Sequence, residues 1–200
     1  DGGSTDGTVD VIQKYQSQIT FWESVKDDGI FDAMNKGIDK ASGEWIIFIN
    51  AGDGLLDSSV LREISKYLSS EYGVVYGGLK LLYNEQRSRV LANDVIANPF
   101  YIKFSPQPSS FVRIDLAKKY RFDTSFEIGG DMDFFAKLYY KHIAFLKINV
   151  VVSYFDTKGI SSDISLRQFY EGVRIGQKYN KTFFFTHTLW FIAIVIPRFI

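Results

Sequence analysis

From Gly43 to Asp53 the chain reads Gly-Glu-Trp-Ile-Ile-Phe-Ile-Asn-Ala-Gly-Asp. The apolar run Trp45–Ile49 is too short for a globular helix and rich in β-branched and aromatic residues, so it predicts a buried strand. The turn pair Ser42-Gly43 precedes it, and the small polar residues Asn50-Ala51-Gly52-Asp53 end it. In an open α/β sheet the ligand sits just beyond the carboxyl ends of the strands. Asp53 therefore stands where a metal-binding carboxylate is expected. An ordinary Gly-Asp turn is the other reading of the same residues.

The flanking pattern supports an α/β chain. Thr8 is a candidate N-cap for a short amphipathic helix carrying Val9, Val11, Ile12 and Tyr15. Ile19-Thr20-Phe21-Trp22 reads as a strand, and Lys26-Asp27-Asp28-Gly29 as a turn. Ile30, Ala33, Met34 and Ile38 recur at helical spacing, which predicts a helix over Ile30–Ala41. Asp57 or Ser58 caps a further helix with Val60, Leu61, Ile64, Tyr67 and Leu68 on its apolar face. Gly73–Gly77 and Ser110–Arg113 read as strands, and Leu79–Tyr83 as extended chain. Leu116–Tyr120 and Asp131–Tyr140 read as helices, and Ile143–Phe155 as a long apolar strand; the stretch from Asn84 to Gln107 carries no clear period. Strands alternating with helices imply a mixed, mostly parallel sheet with flanking helices.

Two hundred residues suffice for one domain with a real core. The 23 Lys and Arg balance the 23 Asp and Glu, which argues against the basic face that nucleic acid requires. The absence of Cys excludes disulfides and thiolate metal sites, and is compatible with the cytosol. The opening, Asp1-Gly2-Gly3-Ser4-Thr5-Asp6-Gly7-Thr8, is Gly-rich loop chemistry. It reads either as a frayed tail or as the loop after a strand that lies upstream.

Six blocks carry a resemblance. Asp1–Thr8 resembles the loop after the second strand of the nucleotide-binding half of family 2 glycosyltransferases. Asp28-Gly29-Ile30-Phe31-Asp32-Ala33-Met34-Asn35-Lys36-Gly37-Ile38 is similar to that family's next block. Asn50-Ala51-Gly52-Asp53 resembles a variant of its Asp-x-Asp metal motif. Pro106-Gln107-Pro108-Ser109-Ser110-Phe111 resembles its acceptor-side segment, and Gly130-Asp131-Met132-Asp133 the segment with its catalytic carboxylate. Gly159-Ile160-Ser161-Ser162 resembles a loop after the last strand. The blocks keep the family's order, which no single block could establish.

The resemblance implies a GT-A-type, Rossmann-like fold lacking its first strand and helix. A catalytic domain fragment would span 1–162, followed by a helical, aromatic-rich segment over 163–200. It implies inverting transfer of a sugar from a nucleotide-diphosphate sugar to a hydroxyl, on a glycan or a lipid-linked oligosaccharide in cell-surface polysaccharide synthesis. Asp1 and Asp28 would contact the nucleotide, and Asn50 the donor near the first ligand position of the motif. Asp53 would bind Mg²⁺ or Mn²⁺, hard cations that take few carboxylates plus substrate phosphates. Asp131 would be the base that deprotonates the acceptor, with Asp133 as its rival and Gln107 on the acceptor side. Helix capping is the alternative for Asp131. His142 and His187 match no block and read as structural. A nucleotide-sugar-binding protein with impaired catalysis is the alternative function.

Residues 183–196 are apolar and aromatic, but fall short of the ~20 residues that span a bilayer. They read either as a packing helix or as a membrane-surface segment flanked by Lys178, Lys181 and Arg198. The lipid-linked acceptors of the family favour the latter, at the inner face of the cell membrane.

Overall fold

The computed structural model describes residues 1–84, 87–91, 96–98, 101–103, 107–157, 166–179 and 189. Its elements run α1 (Thr8–Tyr15), α2 (Ile30–Lys40), β1 (Trp45–Ile46), β2 (Gly54–Leu55), α3 (Val60–Ser65), β3 (Val74–Asn84), β4 (Arg87–Leu91), β5 (Ile96–Asn98), β6 (Tyr101–Lys103), β7 (Ser110–Arg113), α4 (Ile114–Tyr120), α5 (Gly130–Tyr140), β8 (Phe145–Asp156) and α6 (Leu166–Tyr179). Pro106, the block 159–162 and, apart from Leu189, the segment 183–196 with His187 lie outside the described residues.

The main sheet runs β1-β7-β3-β8-β2, with β4 paired to β3; β5 and β6 form a separate hairpin. It is mixed, as expected, but not mostly parallel. Among the described residues β3 and β8 form its parallel pair, while β1/β7, β2/β8, β3/β4 and β3/β7 are antiparallel. The expected strand at Ile19–Trp22 contributes to this difference: it forms no ladder. Its backbone bond is local, Ile19 N–H to Gln16 O at 3.2 Å, and the chain reaches Asp1 only beyond its end, where Val25 N–H donates to Asp1 O at 3.1 Å. The strand expected through Ile49 also shortens to Trp45–Ile46, because β7 pairs with it only at Arg113 and Val112.

Helices cover both faces. Val74 packs with α2, α4 and α5, on the side of Phe31, Met34, Ile38, Phe134 and Leu138. Its neighbour Val75 packs on the opposite side with Val60, Ile64, Phe111, Ile148 and Val152. This is the two-residue alternation of a strand buried on both faces. The stripe that α2 buries is Phe31, Met34 and Ile38; Ile30, expected inside, is 44% exposed. Gly7, at φ 93°, is the N-cap of α1, and Thr8 N–H donates to Asp6 Oδ1, so Asp6 supplies the turn expected of Thr8. Ser59 is the N-cap of α3, with its N–H on Asp57 Oδ1 at 2.7 Å.

Phe122 joins the helical layer. Its ring stacks on Phe31 and Phe134, with centroids 5.6 and 4.5 Å away, and meets Phe48 edge-on at 5.3 Å. Its backbone is held from both sides by Asn35, which donates from Nδ2 to Phe122 O at 2.9 Å and accepts Phe122 N–H at 3.0 Å. Asn35, part of the recognisable block on α2, is thus a bolt between α2 and the chain after α4.

Candidate active site

A cavity of about 1050 Å³ opens where the sheet ends, and its lining includes Asp28, Asn50, Asp53, Gln107, Asp131 and Asp156. Five residues expected from the sequence therefore converge. Asp28 is exposed on the turn before α2, and its N–H donates to Asp32 Oδ2 at 3.1 Å. Gln107, buried in the wall, stands just before β7.

Asn50 and Asp53 belong to one turn. Asp53 N–H donates to Asn50 O at 3.0 Å, and Gly52 between them has φ 90°. That conformation favours glycine, since a side chain there meets its own backbone. The conformation decides the choice, since the space beside Gly52 leaves ordinary van der Waals contact. A Cβ on Gly52 would stand 3.4 Å from Cβ of Asp156. The antiparallel register Gly54↔Tyr154 and Leu55↔Ser153 explains the approach, because continuing it backwards sets Gly52 against Asp156.

Burial pushes the Asp53 carboxyl above its ordinary range; the backbone N–H groups of Asp156 and Asn50 pull it down, and the Asp156 carboxylate pushes it up. Two carboxylates held together in a partly desolvated wall repel each other, and a divalent cation relieves that repulsion. The donor set of Asp53, Asp156 and the Asn50 amide oxygen is hard and fits Mg²⁺ or Mn²⁺. Among the described residues no three His, Cys, Asp or Glu converge on one point, so such an ion would complete its shell from substrate or water.

Asp131 lies in the first turn of α5, and its Oδ1 accepts Met132 N–H at 2.7 Å. It is not the N-cap; Gly129 is. Desolvation raises its pKa to about 6, against the pull of its backbone hydrogen bonds and with a smaller push from Glu171. A carboxylate with that pKa is mostly ionised at neutral pH yet more basic than usual, which suits a general base.

The glycines before Asp131 make room for protein. A Cβ on Gly130 would stand 2.6 Å from the Phe31 ring, and one on Gly129 3.3 Å from Glu171 and Ile175. Asp133 does not line the cavity. It is fully buried, accepts Lys178 Nζ at 2.8 Å and has Lys137 Nζ at 3.6 Å. Asp1 also stands apart. Its carboxylate accepts the N–H groups of Gly3 and Ser4 and the hydroxyls of Ser4 and Ser24, and it lines a different cavity of about 530 Å³. His142 donates its backbone N–H to Tyr139 O in the turn after α5 and lines neither cavity.

Sequence reasoning did not single out Asp156, Arg167 or Glu171. Asp156 had a usable signal, because it ends a long apolar strand on the edge where Asp53 follows another. Arg167 lines the cavity from α6 and pairs with Glu127, which lines it too.

The chain belongs to glycosyl transferase family 2, whose sequence pattern matches residues 1–142. It is 33% identical over 82 residues to a PGL/p-HBAD biosynthesis glycosyltransferase of Mycobacterium bovis, covering 38% of this chain and 32% of that one. The chain thus spans about a third of the length of such curated relatives. TarS 1–349 of S. aureus, solved with UDP-GlcNAc, superposes with a TM-score of 0.67 at 17% identity, over 89% of this chain and 55% of that one. A mannosyltransferase of Pyrobaculum calidifontis, solved with GDP-Man and Mn2+, gives 0.64 at 17%, over 94% and 57%. The fold is that of GT-A glycosyltransferases. No described helix is long and apolar enough to cross a membrane.

Proposed function

We propose that this chain forms the catalytic part of an inverting, metal-dependent glycosyltransferase. It moves a sugar from a nucleotide-diphosphate sugar to a hydroxyl of a glycan or lipid-linked acceptor at the inner face of the membrane. The observation that carries this reading is one cavity holding two separate carboxylate functions: the Asp53–Asp156 pair on one wall and the basic Asp131 on another.

Asp53 and Asp156, with Asn50, hold Mg²⁺ or Mn²⁺. When bound, such a cation neutralises charge building on the departing diphosphate. Asp28, on the turn before α2, faces the nucleotide. Asp131 takes the proton from the acceptor hydroxyl. The freed oxygen attacks the anomeric carbon as the bond from that carbon to the phosphate oxygen breaks. The nucleoside diphosphate leaves with the bonding pair, and a single in-line displacement inverts the anomeric centre. Gln107 lines the same cavity and contacts the acceptor.

The test is a panel of nucleotide-sugar donors, with and without Mn²⁺, read by nucleoside diphosphate release and product anomeric configuration. Transfer that requires the cation and disappears in Asp53→Ala is expected. Donor binding by calorimetry without turnover of any donor would instead mark a binding protein. A product that keeps the donor's anomeric configuration rules out single displacement.

A further inference from the structure

α6 crosses behind the wall that carries Asp131, and one side of it is a row of charged residues at helical spacing: Arg167, Glu171, Arg174 and Lys178. Each engages chain between Asp123 and Asp133. Arg167 pairs with Glu127, Arg174 donates to Ser125 O and Oγ at 3.1 and 2.8 Å, and Lys178 binds Asp133. Glu171 is the one of the four that is buried. Its Oε1 accepts Glu127 N–H at 2.8 Å; its Oε2 accepts Ile128 N–H at 3.0 Å and Gly129 N–H at 2.6 Å.

Those three N–H groups lead into α5, where helical N–H groups have no partner in the preceding turn. The residue next to α5 is Gly129, and Asp131 follows two positions on. A buried carboxylate is costly unless it is hydrogen-bonded, and the three bonds this one accepts all come from backbone N–H groups. The loop it holds supplies Glu127 and Ile128 to the same cavity wall as Asp131. The close approach of Gly129 to Glu171 leaves little slack between the loop and α6.

We propose that Glu171 is a positioning residue: its carboxylate pins the backbone of Glu127–Gly129 to α6 and thereby sets where the Asp131 carboxyl stands in the cavity. The inference rests on the reading of Asp131 as the base only for its effect on turnover; the positioning itself is a property of the free protein. Asp131 also feels Glu171 as a like charge, so the two effects, charge and position, must be separated.

Two variants separate them. Glu171→Gln keeps the length but, whichever way the amide turns, puts an NH₂ against at least one of three N–H donors. Glu171→Asp keeps the charge but is one methylene short. Amide hydrogen exchange at Glu127, Ile128 and Gly129 and the pH titration of the ¹³C-labelled Asp131 carboxyl are measured in the full chain without ligand. Both variants should exchange at those amides about 10- to 100-fold faster, the range corresponding to a lost charge-assisted hydrogen bond. Both should titrate Asp131 closer to the ordinary carboxylate range. Glu171→Asp with native exchange and native titration overturns the proposal, leaving a charge effect alone. Global unfolding of Glu171→Gln also overturns it, by making Glu171 a residue of overall stability. Nucleoside diphosphate release from UDP-GlcNAc and from GDP-mannose distinguishes the two readings. Native release by Asp131→Asn, with the Glu171 variants shifted as expected, removes the base assignment and leaves the positioning intact.

Discussion

Lys178 reaches from α6 to donate a 2.8 Å hydrogen bond to Oδ1 of Asp133, and this contact divides the labour of two carboxylates two positions apart on α5. Asp131 faces the cavity, while Asp133 is 0% exposed among cations. The Asp133 carboxylate holds α6 against α5, and its loss leaves Lys178 and Lys137 without their shared partner. Removing one member of a buried pair costs about 3–5 kcal/mol. Asp133→Ala should fall below that range, on the order of 2–3 kcal/mol, because the Lys178 side chain, 41% exposed, can turn to water. Urea unfolding midpoints check the stability loss. Turnover below the melting point should stay close to native, and a folded but inactive Asp133→Ala would reverse the assignment.

Asp156 provides the second prediction. It stands opposite Gly52 in the continued β2–β8 register, gives its backbone N–H to the Asp53 carboxylate and lines the same cavity, which makes it the second carboxylate of the proposed cation site. Asp156→Asn should weaken Mn²⁺ binding, read by electron paramagnetic resonance as free Mn²⁺, and should lower the Asp53 pKa by removing a like charge. An Asp156 that stood near the cation without binding it would, once neutralised, leave Mn²⁺ binding close to native. Near-native Mn²⁺ binding in Asp156→Asn therefore excludes Asp156 from the ligand set.

A third prediction contrasts two glycines in recognisable blocks. A Cβ on Gly37 would meet nothing within 4 Å, at an exposed position inside α2. Gly37→Ala should stabilise by about 0.5–1 kcal/mol through the unfolded state. A Cβ on Gly130 would press 2.6 Å from the ring of Phe31, which is itself stacked on Phe122. Gly130→Ala should cost about 1–3 kcal/mol as overpacking, and should lower turnover because Asp131 is the next residue. Thermal melts of the two variants should move in opposite directions.

Much of the site was legible because turn chemistry and strand ends are local. Asn50, Gly52 and Asp53 announce a turn after a strand, and Gly129-Gly130-Asp131 a helix entry in close quarters. What escaped depends on contacts distant in sequence. Glu171 sits on an amphipathic helix where a charged residue reads as a solvated face, and only its packing against Glu127–Gly129 makes it an acceptor. The packing of Gly130 against Phe31 is hidden for the same reason, since Phe31 lies far upstream of it. Ile19–Trp22 has strand composition but no ladder, because β-propensity becomes a strand only when a neighbour supplies hydrogen bonds.

Asp131 ties activity and stability to pH in one residue. Burial raises its folded pKa to about 6 from 3.8. A group raised on folding contributes stability that is fully present below its unfolded pKa and is lost as pH rises through the folded pKa. Ionised Asp131 is thus a burden on the fold above pH 6, and protonated Asp131 is not below 3.8. Asp131→Asn cannot ionise, so relative to the native chain it should gain stability between those values and hold the gain above them. The gain is on the order of 1–3 kcal/mol, given 1.36 kcal/mol for each pKa unit. Catalysis should run the other way. The native kcat/KM should climb with pH and level off above about 6, as the base ionises. Asp131→Asn should lack that limb and turn over on the order of 10²–10⁴-fold more slowly, with donor affinity kept because the proposed cation site does not include Asp131. Denaturation of both proteins from pH 3.5 to 8, beside their pH–rate profiles, checks both halves. A variant that loses its rate limb but gains no stability would show Asp131 to be hydrated in solution, its basicity then owed to the bound substrate and not to the fold.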